Sequence, residues 1–245
     1  MPKAADKKTT SKQGNWWWRR FLISFVPFII FSLGFFPVLL ILVFLYFFVP
    51  LQVWTWIILS PFLLIILMML TFVSQLLFSG SIIRIFHIIY EEGTYEYTLR
   101  DTNVFKWMLI CQLYTPMRKL MEIIPMGEIR NIYLRLLGMK IGENTLVGGV
   151  IKDPCMTSFG SNTTMGEYAV LYGHIHDKAA RTLTITRIDV GDNCVIGAGA
   201  IVMPGARMEN NVLLGAGSLV PQNKTLEKNS IYVGSPAQKR QKGKR

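Results

Sequence analysis

Between Phe21 and Ile83 the sequence lacks Asp, Glu, Lys, Arg and His altogether, a run of 63 residues. One membrane-spanning helix needs only about 20 apolar residues, so this run is too long for a single span and too apolar for a soluble core. A cleavable signal sequence is excluded too, because such a segment has one short apolar region and a small-residue cleavage site. The absence of charge therefore predicts an integral membrane protein.

Two membrane spans fit this run best. The segment FFVPLQVW contains Pro50 and Gln52 and predicts an interface turn, which leaves spans at about 21–48 and 54–79 in a helical hairpin. Gly34 and the two prolines of the first span should kink it rather than end it. Three shorter spans are the alternative, but they would strain the connections.

Acidic residues are scarce, and the formal net charge of +11 is concentrated at the two ends of the chain. The basic tails are residues 1–20 and 235–245, and the positive-inside rule places both tails, with everything after the second span, in the cytoplasm. Anionic lipid headgroups explain this charge more simply than nucleic acid does, because no aromatic-basic recognition motif accompanies it. We therefore expect a bilayer partner and no nucleic-acid partner.

Cysteine is rare as well: Cys111, Cys155 and Cys194 are an odd number without motif spacing, which is typical of a reducing compartment.

The pattern of residues 84–140 predicts amphipathic linker helices that lie on the membrane and pack on the C-terminal domain. Their predicted segments are 81–90, which contains His87, 104–123 and 129–138.

From Ile141 to residue 234 the chain repeats every six residues, with a second phase that begins at Val190. The first residue of each hexad is apolar in eleven of twelve cases, Asp153 being the exception, and the second residue is glycine in seven. If six residues form a short strand and a turn, three hexads close one triangular coil, and successive coils stack with parallel strands. The large first residue and the small fifth residue then point inward, and we expect glycine to permit the turn conformation.

These hexads, with the motifs IGENTLVGG, MGEYAVLYGHIHD, VGDNCVIGAGAIVMPGA and VGSPAQKR, resemble the hexapeptide-repeat acyltransferases. The expected fold is therefore membrane α-helices, from the uncharged run, followed by an all-β domain, 141–234, which the resemblance implies is a left-handed parallel β-helix of about four coils. It also implies a homotrimer, with acyl-CoA, above all acetyl-CoA, as co-substrate and no metal. A narrower resemblance is to the membrane-bound C-terminal region of epsilon-poly-lysine synthetase, although this chain lacks adenylation and carrier domains.

Two of the three histidines flank the point where the repeat loses its phase. By the hexad pattern Ile175 points inward, so His174 and His176 point outward on the same strand face, and residues 177–189 form a loop. Packing explains such a pair poorly, whereas imidazole can accept a proton at cytoplasmic pH. The resemblance implies one histidine as general base, in a groove between subunits. By spacing we assign that role to His176 and keep His174 as the reserve.

Other site residues also follow from the resemblance. Arg181 or Arg187 would bind a substrate or cofactor phosphate, although ion pairs with Asp177 or Asp189 explain them equally well. An oxyanion donor is expected in the region of Gly197 to Gly199. The residues that the resemblance implies for cofactor binding are Gly197, Gly199, Ala216, Gly217, Ser218 and Lys239; a purely structural role for the glycines is at least as good an explanation.

The sequence thus predicts a membrane-anchored acyltransferase that acts on a hydroxyl or amine. Its membrane half suggests a lipid-linked acceptor, although an anchor alone would explain the helices. Two rivals stay open: a metal enzyme like the gamma-class carbonic anhydrases, which would need a third histidine ligand beside His174 and His176, and a trimeric scaffold without catalysis.

Overall fold

The computed structural model describes residues 16–50, 52–124 and 127–240. Most of the predicted N-terminal basic tail, residues 1–15, lies outside the described residues, as does the end of the C-terminal tail, 241–245. Within the described ranges the α-helices are α1 (Trp17–Gly34), α2 (Phe36–Phe48), α3 (Val53–Ile85), α4 (Thr102–Ile123) and α5 (Glu128–Leu136).

Two helical stretches, Trp17–Phe48 and Val53–Ile85, are long and apolar enough to cross a membrane. The first is kinked at Phe35, whose backbone stays helical at φ −80° and ψ −16°. Because the Phe35 amide bonds to Ser32, the carbonyl of Phe31 is left for the side chain of Gln75, whose Nε2 donates to it at 2.6 Å. The kink is therefore held by a side chain of α3.

The linker packs on the helices that precede it and on the strand-rich part of the chain that follows it. Residues 81–85 continue α3 instead of starting the predicted interface helix, because Ile83 is buried in the core. Asp101 starts α4 by accepting the amides of Asn103 and Val104. α5 packs on the end of α3, where the hydroxyls of Ser79 and Tyr133 lie 3.2 Å apart.

The remainder of the described chain is rich in short strands. In chain order they are β1 (Gly93–Glu96), β2 (Lys140–Ile141), β3 (Leu146–Val147), β4 (Val150–Ile151), β5 (Thr157–Phe159), β6 (Thr164–Met165), β7 (Val170–Leu171), β8 (His174–Asp177), β9 (Thr182–Ile185), β10 (Ile188–Val190), β11 (Val195–Ile196), β12 (Ile201–Val202), β13 (Arg207–Met208), β14 (Leu213–Leu214), β15 (Leu219–Val220), β16 (Thr225–Leu226), β17 (Ile231–Val233) and β18 (Gln238–Lys239). A single turn of 3₁₀-helix covers Pro154–Met156.

Three parallel sheets form the sides of a prism, the β-helix domain. The polar sheet, named for its outward side chains, has the order β16-β13-β10-β5-β2; the second sheet is β17-β14-β11-β6-β3, with β18 antiparallel at its edge; the third is β15-β12-β7-β4. Eleven of the twelve first hexad residues are buried and Ile141 is half-buried, as the sixfold repeat predicts. α4 and α5 close one end of the prism: Tyr114 donates to the carbonyl of Ile151 at 2.8 Å, and Asn131 to that of Thr145 at 3.1 Å.

Glycine at the second hexad position has a different role from the predicted one. A Cβ on Gly197 would overlap the backbone nitrogen of Ala216 in the next coil, so the glycine allows close stacking. The left-handed turn conformation lies two residues later, at Gly199 with φ +67°, and at the equivalent Asn144 and Asn162 with φ +52° and +54°.

The interruption of the repeat is a β-hairpin rather than a loop. Partners in adjacent coils are usually 18 residues apart, but Asp192 bonds to Ser161, 31 residues away, so 13 residues are inserted. β8 and β9 pair antiparallel within the insertion, and β1 from the linker adds a third strand. His174 therefore lies in the hairpin, so the prediction that Leu171 to His176 stay in the coil is wrong beyond Gly173.

Candidate functional site

The candidate site is centred on Asp153, the one first hexad residue that is not apolar. Asp153 occupies an inward first hexad position, directly before the 3₁₀ turn, and its side chain is completely buried. A buried carboxylate is costly unless donors surround it. Its surroundings therefore decide what it does.

Four donors reach the Asp153 carboxylate from three parts of the chain. Oδ1 accepts from the hydroxyl of Tyr90 at 2.8 Å and from Nε1 of Trp107 on α4 at 3.2 Å. Oδ2 accepts from the amide of Gly173 at 2.8 Å and lies 2.7 Å from Nδ1 of His174. The segment before β1, α4 and the hairpin thus all place hydrogen-bonding groups against one carboxylate.

These partners set the tautomer of His174. The indole and the Gly173 amide can only donate, so the carboxyl is satisfied as the ionised acceptor. With Asp153 as the acceptor, Nδ1 of His174 is the donor in this hydrogen bond, and Nε2 is the ring nitrogen left to act as an acceptor. Among the described residues, no group hydrogen-bonds to this Nε2.

An aromatic wall positions both imidazoles. His174 packs edge-on against Trp107, with ring centroids 4.9 Å apart, and its side chain is 16% exposed. His176 is more exposed and packs edge-on against Tyr97 at 5.0 Å and against Trp107 at 5.4 Å. Burial lowers the pKa of His176, as does the neighbouring His174, while Asp153 opposes the shift. His176 is therefore neutral at pH 7.

The thiols near Asp153 are not nucleophiles at neutral pH. Burial raises the pKa of Cys155 to about 11 and that of Cys111 to about 12. Burial also raises the pKa of Tyr90 far above its usual range, and the charge of Asp153 adds to this. All three groups stay protonated, so in this cluster the side chain available to accept a proton is an imidazole.

Among the described residues, neither Arg181 nor Arg187 is hydrogen-bonded to Asp153 or His174, the pair that we call the dyad. Arg181 is exposed at the tip of the hairpin, where its carbonyl accepts from the amide of Tyr97 at 2.8 Å. Nε of Arg187 lies 3.2 Å from Oε1 of Glu92, so this arginine pairs with a carboxylate other than Asp177 or Asp189. The sequence did not indicate this contact because Glu92 is 95 residues away in the linker.

The predicted cofactor residues gather at another place on the prism. Gly197, Gly199, Ala216 and Gly217 lie at one corner, stacked through the bond from the Gly217 amide to the Ala198 carbonyl at 2.9 Å. β7 and its sheet separate this corner from the one where the hairpin leaves. One chain therefore does not bring these residues together with the histidines.

Several predicted contacts at that corner are already used within the fold. The amides of Gly197 and Gly199 donate to carbonyls of neighbouring coils, at 2.7 and 2.9 Å. Ser218 is buried, and its hydroxyl accepts from the amide of Gly234 at 3.1 Å. Lys239 is on the edge strand β18, where its ammonium group lies 2.6 Å from Glu227.

A metal centre finds no support in the described parts of the chain. Within residues 16–50, 52–124 and 127–240, no group of three or more His, Cys, Asp or Glu side chains is arranged to hold a metal ion. His87, the third histidine, is exposed just after α3.

Comparison with known proteins identifies the repeat. Residues 187–222 match the family model for the bacterial transferase hexapeptide (six repeats). A search of curated proteins finds no match. The chain therefore carries the hexapeptide repeat that its sequence predicts, whereas the narrower resemblance to epsilon-poly-lysine synthetase stays a prediction.

Solved structures similar to this chain include three acetyltransferases. A maltose O-acetyltransferase from Clostridium difficile 630 is 23% identical, with TM-score 0.38, over 48% of this chain and 76% of the other. A hexapeptide-repeat acetyltransferase from Vibrio cholerae is 18% identical, with TM-score 0.40, over 51% and 86%. A galactoside acetyltransferase in complex with coenzyme A is 20% identical, with TM-score 0.37, over 46% and 70%.

Proposed function

We propose that this chain, which carries the hexapeptide repeat of bacterial transferases, is a membrane-anchored acyltransferase with His174 as general base. The acyl donor is an acyl-CoA, with acetyl-CoA first, and the acceptor is a hydroxyl or amine. The observation that carries the proposal is the contact of 2.7 Å between Nδ1 of His174 and the buried carboxylate of Asp153. It leaves Nε2 as a fixed proton acceptor.

The reaction balances with these groups alone. Nε2 of His174 takes the proton of the acceptor O–H or N–H as the acceptor atom bonds to the thioester carbonyl carbon. The tetrahedral intermediate then collapses, the C–S bond breaks, and the imidazolium returns its proton to the departing CoA sulfur. Asp153 stabilises the imidazolium between these two steps.

His174 replaces His176 as our preferred base. The spacing favoured His176, but in the structure the hydrogen bond to Asp153 belongs to His174. His176 lies 5.5 Å from His174, ring centroid to ring centroid, and we assign it to the wall of the acceptor site. We keep Arg181 and Arg187 as outer residues that contact a bound substrate at the hairpin.

The acyl-CoA side of the site is completed by another subunit in this proposal. The corner with Gly197, Gly199, Ala216 and Gly217 would come from a neighbouring chain, with its Ser218 in a structural role and Lys239 at the cofactor phosphates. We choose the amide of Ala198 as the oxyanion donor, because Ala198 is an exposed residue between Gly197 and Gly199, whose own amides are bonded to neighbouring coils. We further propose that the prism is a left-handed β-helix of about four coils in a homotrimer.

We assign the membrane topology by the positive-inside rule. We propose that Trp17–Phe48 and Val53–Ile85 form a transmembrane hairpin and that both termini and the β-helix domain are cytoplasmic. Arg19, at the start of α1, donates to the carbonyls of Leu99 and Arg100 at 2.9 Å, which supports a hairpin whose two ends lie on the same side. A site at this boundary suits a lipid-linked acceptor.

A transfer assay tests the function. The purified full chain in detergent is incubated with radiolabelled acetyl-CoA and a membrane-lipid and glycan extract, and the labelled product is identified. We expect label in one class of acceptor with wild-type protein and none with His174→Ala. Equal labelling by both proteins would refute the assignment of the base.

Two further measurements distinguish the proposed acyltransferase from the two alternatives, a scaffold without catalysis and a metal enzyme. Calorimetric titration with CoA should give saturable binding, whereas a scaffold without catalysis would give none. Elemental analysis of the purified protein should find no stoichiometric metal, and one zinc ion per chain would favour the carbonic-anhydrase-like alternative.

A further inference from the structure

Near Asp153, residues of α4, α5 and the first coils bring four cations together. Lys152 directly precedes Asp153, and Arg118 lies one turn of α4 beyond Tyr114, which is bonded to Ile151. We call Arg118, Lys119, Arg130 and Lys152 the cationic cluster.

Burial makes these positive charges costly. The side chain of Arg118 is 7% exposed. Arg130 donates to the carbonyls of Gly148 and Gly149, but its buried Nε has no hydrogen-bond partner in the part of the chain that the structure describes. Burial lowers the pKa of Lys152, and the charges of Arg118 and Lys119 lower it further. Like charges under partial burial destabilise one another unless an anion compensates them.

The anions within reach do not balance the cluster. Glu122 is shared by Arg118 and by Lys119, whose Nζ lies 3.5 Å from its Oε2. The carboxylate of Asp153 is already occupied by its four donors. Four cations against Glu122 and Asp153 leave a local excess of two positive charges.

The cluster also lies at an apolar surface. On the same last turns of α4, Leu120 is 39% exposed and Ile123 is 76% exposed, and Ile132 of α5 is 44% exposed. Exposed aliphatic groups next to cations are typical of the headgroup level of a bilayer. An anion bound here would sit between the lipid and the dyad.

We infer that the cationic cluster binds a phosphate group of a substrate, with Lys152 and Lys119 as its accessible ligands. This deepens the proposed function, on which it rests, by making the substrate of the dyad an anionic one. Two molecules could supply the phosphate: a phospholipid or polyprenyl-type acceptor at the membrane, or the acyl-CoA itself. In both cases the cluster holds the phosphate and leaves the reacting atom to His174.

Binding, which requires no turnover, tests this inference. The full chain in detergent is titrated in separate arms with dioctanoyl phosphatidic acid, with dioctanoylglycerol as its phosphate-free counterpart, and with CoA. The variants are Lys119→Gln, Lys152→Gln and the double variant; Lys140→Gln, an exposed lysine on β2, is the control with the same loss of charge. Size-exclusion profiles and unfolding temperatures without ligand verify folding.

We expect phosphatidic acid or CoA to bind, and each substitution of the cluster to weaken that binding about tenfold, as expected for one charge-assisted contact. Lys140→Gln should bind as the wild type does, and dioctanoylglycerol should bind equally to all proteins. The ligand whose affinity falls in the cluster variants, phosphatidic acid or CoA, identifies the source of the phosphate. Unchanged affinities in the double variant, or no binding of either anion by the wild type, would overturn the inference. Phosphate binding without any acetyl transfer would instead count against the proposed function alone.

Discussion

Asp153 joins the linker, α4 and the hairpin through one buried carboxylate, and it fixes the tautomer of His174. Its replacement by Asn keeps the shape of the side chain but removes the charge that stabilises an imidazolium. The sequence marks this residue only as the polar exception among the first hexad positions. Its partners Tyr90 and Trp107 lie 63 and 46 residues away, so no local pattern could reveal the contact.

Asp153→Asn should therefore reduce the rate of acyl transfer about 10²- to 10⁴-fold, the range of general acid–base catalysis. The KM for acetyl-CoA should change little, since Asp153 is completely buried and the proposed cofactor residues lie at another corner of the prism. Steady-state kinetics on refolding-competent, monodisperse protein measures both. An unchanged kcat would show that the dyad does not take part in catalysis.

The two histidines should also influence each other's titration. The pKa of His176 should lie below its ordinary value of about 6.5. It should rise in His174→Gln, which removes the imidazole that lowers it, and fall in Asp153→Asn, which removes a negative charge that raises it. Because the folded-state pKa is lowered, the unfolded state binds more protons between that pKa and 6.5. The stability that His176 contributes is therefore present above about pH 6.5 and lost as the pH falls.

NMR of histidine-labelled protein can follow these shifts, since the chain has three histidines and His87→Gln assigns the third. Shifts of the same sign in His174→Gln and Asp153→Asn would contradict the electrostatic explanation.

At the scale of elements, the hairpin positions the site. Gly173 is the last residue before β8, and a Cβ there would lie 2.7 Å from Cβ of Asp153 and 3.1 Å from its Oδ2. The hexad pattern predicted the inward residues of the prism because burial of large side chains has a fixed period. It could not predict the third strand that β1 adds to the hairpin, because Thr94 and Thr184, which this pairing brings together, are 90 residues apart.

Gly173→Ala should displace Asp153 from His174. We expect the free energy of unfolding to fall by about 1–3 kcal/mol, as for other overpacked sites, and the rate of transfer to fall with it. Denaturant titration and the transfer assay measure the two effects.

Gly127→Ala is the control, because nothing lies within 4 Å of its added Cβ, although its backbone is constrained at φ +46°. It should lose some stability and keep its activity. An active Gly173→Ala enzyme would show that the contact of Gly173 with Asp153 is not needed.

At the scale of the whole molecule, the sides of the prism differ in polarity. Apart from the exposed Thr164, the outward column of the second sheet is aliphatic, and Leu146, Val195, Leu213 and Ile231 are 56, 43, 42 and 42% exposed. The equivalent column of the polar sheet carries Lys140, Ser158, Asp189, Arg207 and Thr225. Val195, Leu213 and Ile231 are neighbours in the aliphatic column, and such a row of exposed aliphatic side chains on a folded domain is typical of an interface.

Leu213→Glu should therefore dissociate the proposed trimer into monomers, because it places a charge in the aliphatic column. Thr225→Glu adds the same charge to the polar sheet and should leave the trimer intact. Light scattering of the detergent-solubilised chains gives the masses. Identical masses for both variants would contradict an interface at the second sheet.

The most direct measurement is the rate of acetyl transfer by His174→Ala and His176→Ala, side by side, with the acceptor that the extract identifies. We predict that His174→Ala loses about 10²- to 10⁴-fold, whereas His176→Ala keeps its rate to within about tenfold, the effect of one lost contact at the acceptor wall. A His176→Ala enzyme that is inactive beside an active His174→Ala enzyme would contradict the assignment of the Asp153–His174 dyad as the catalytic pair.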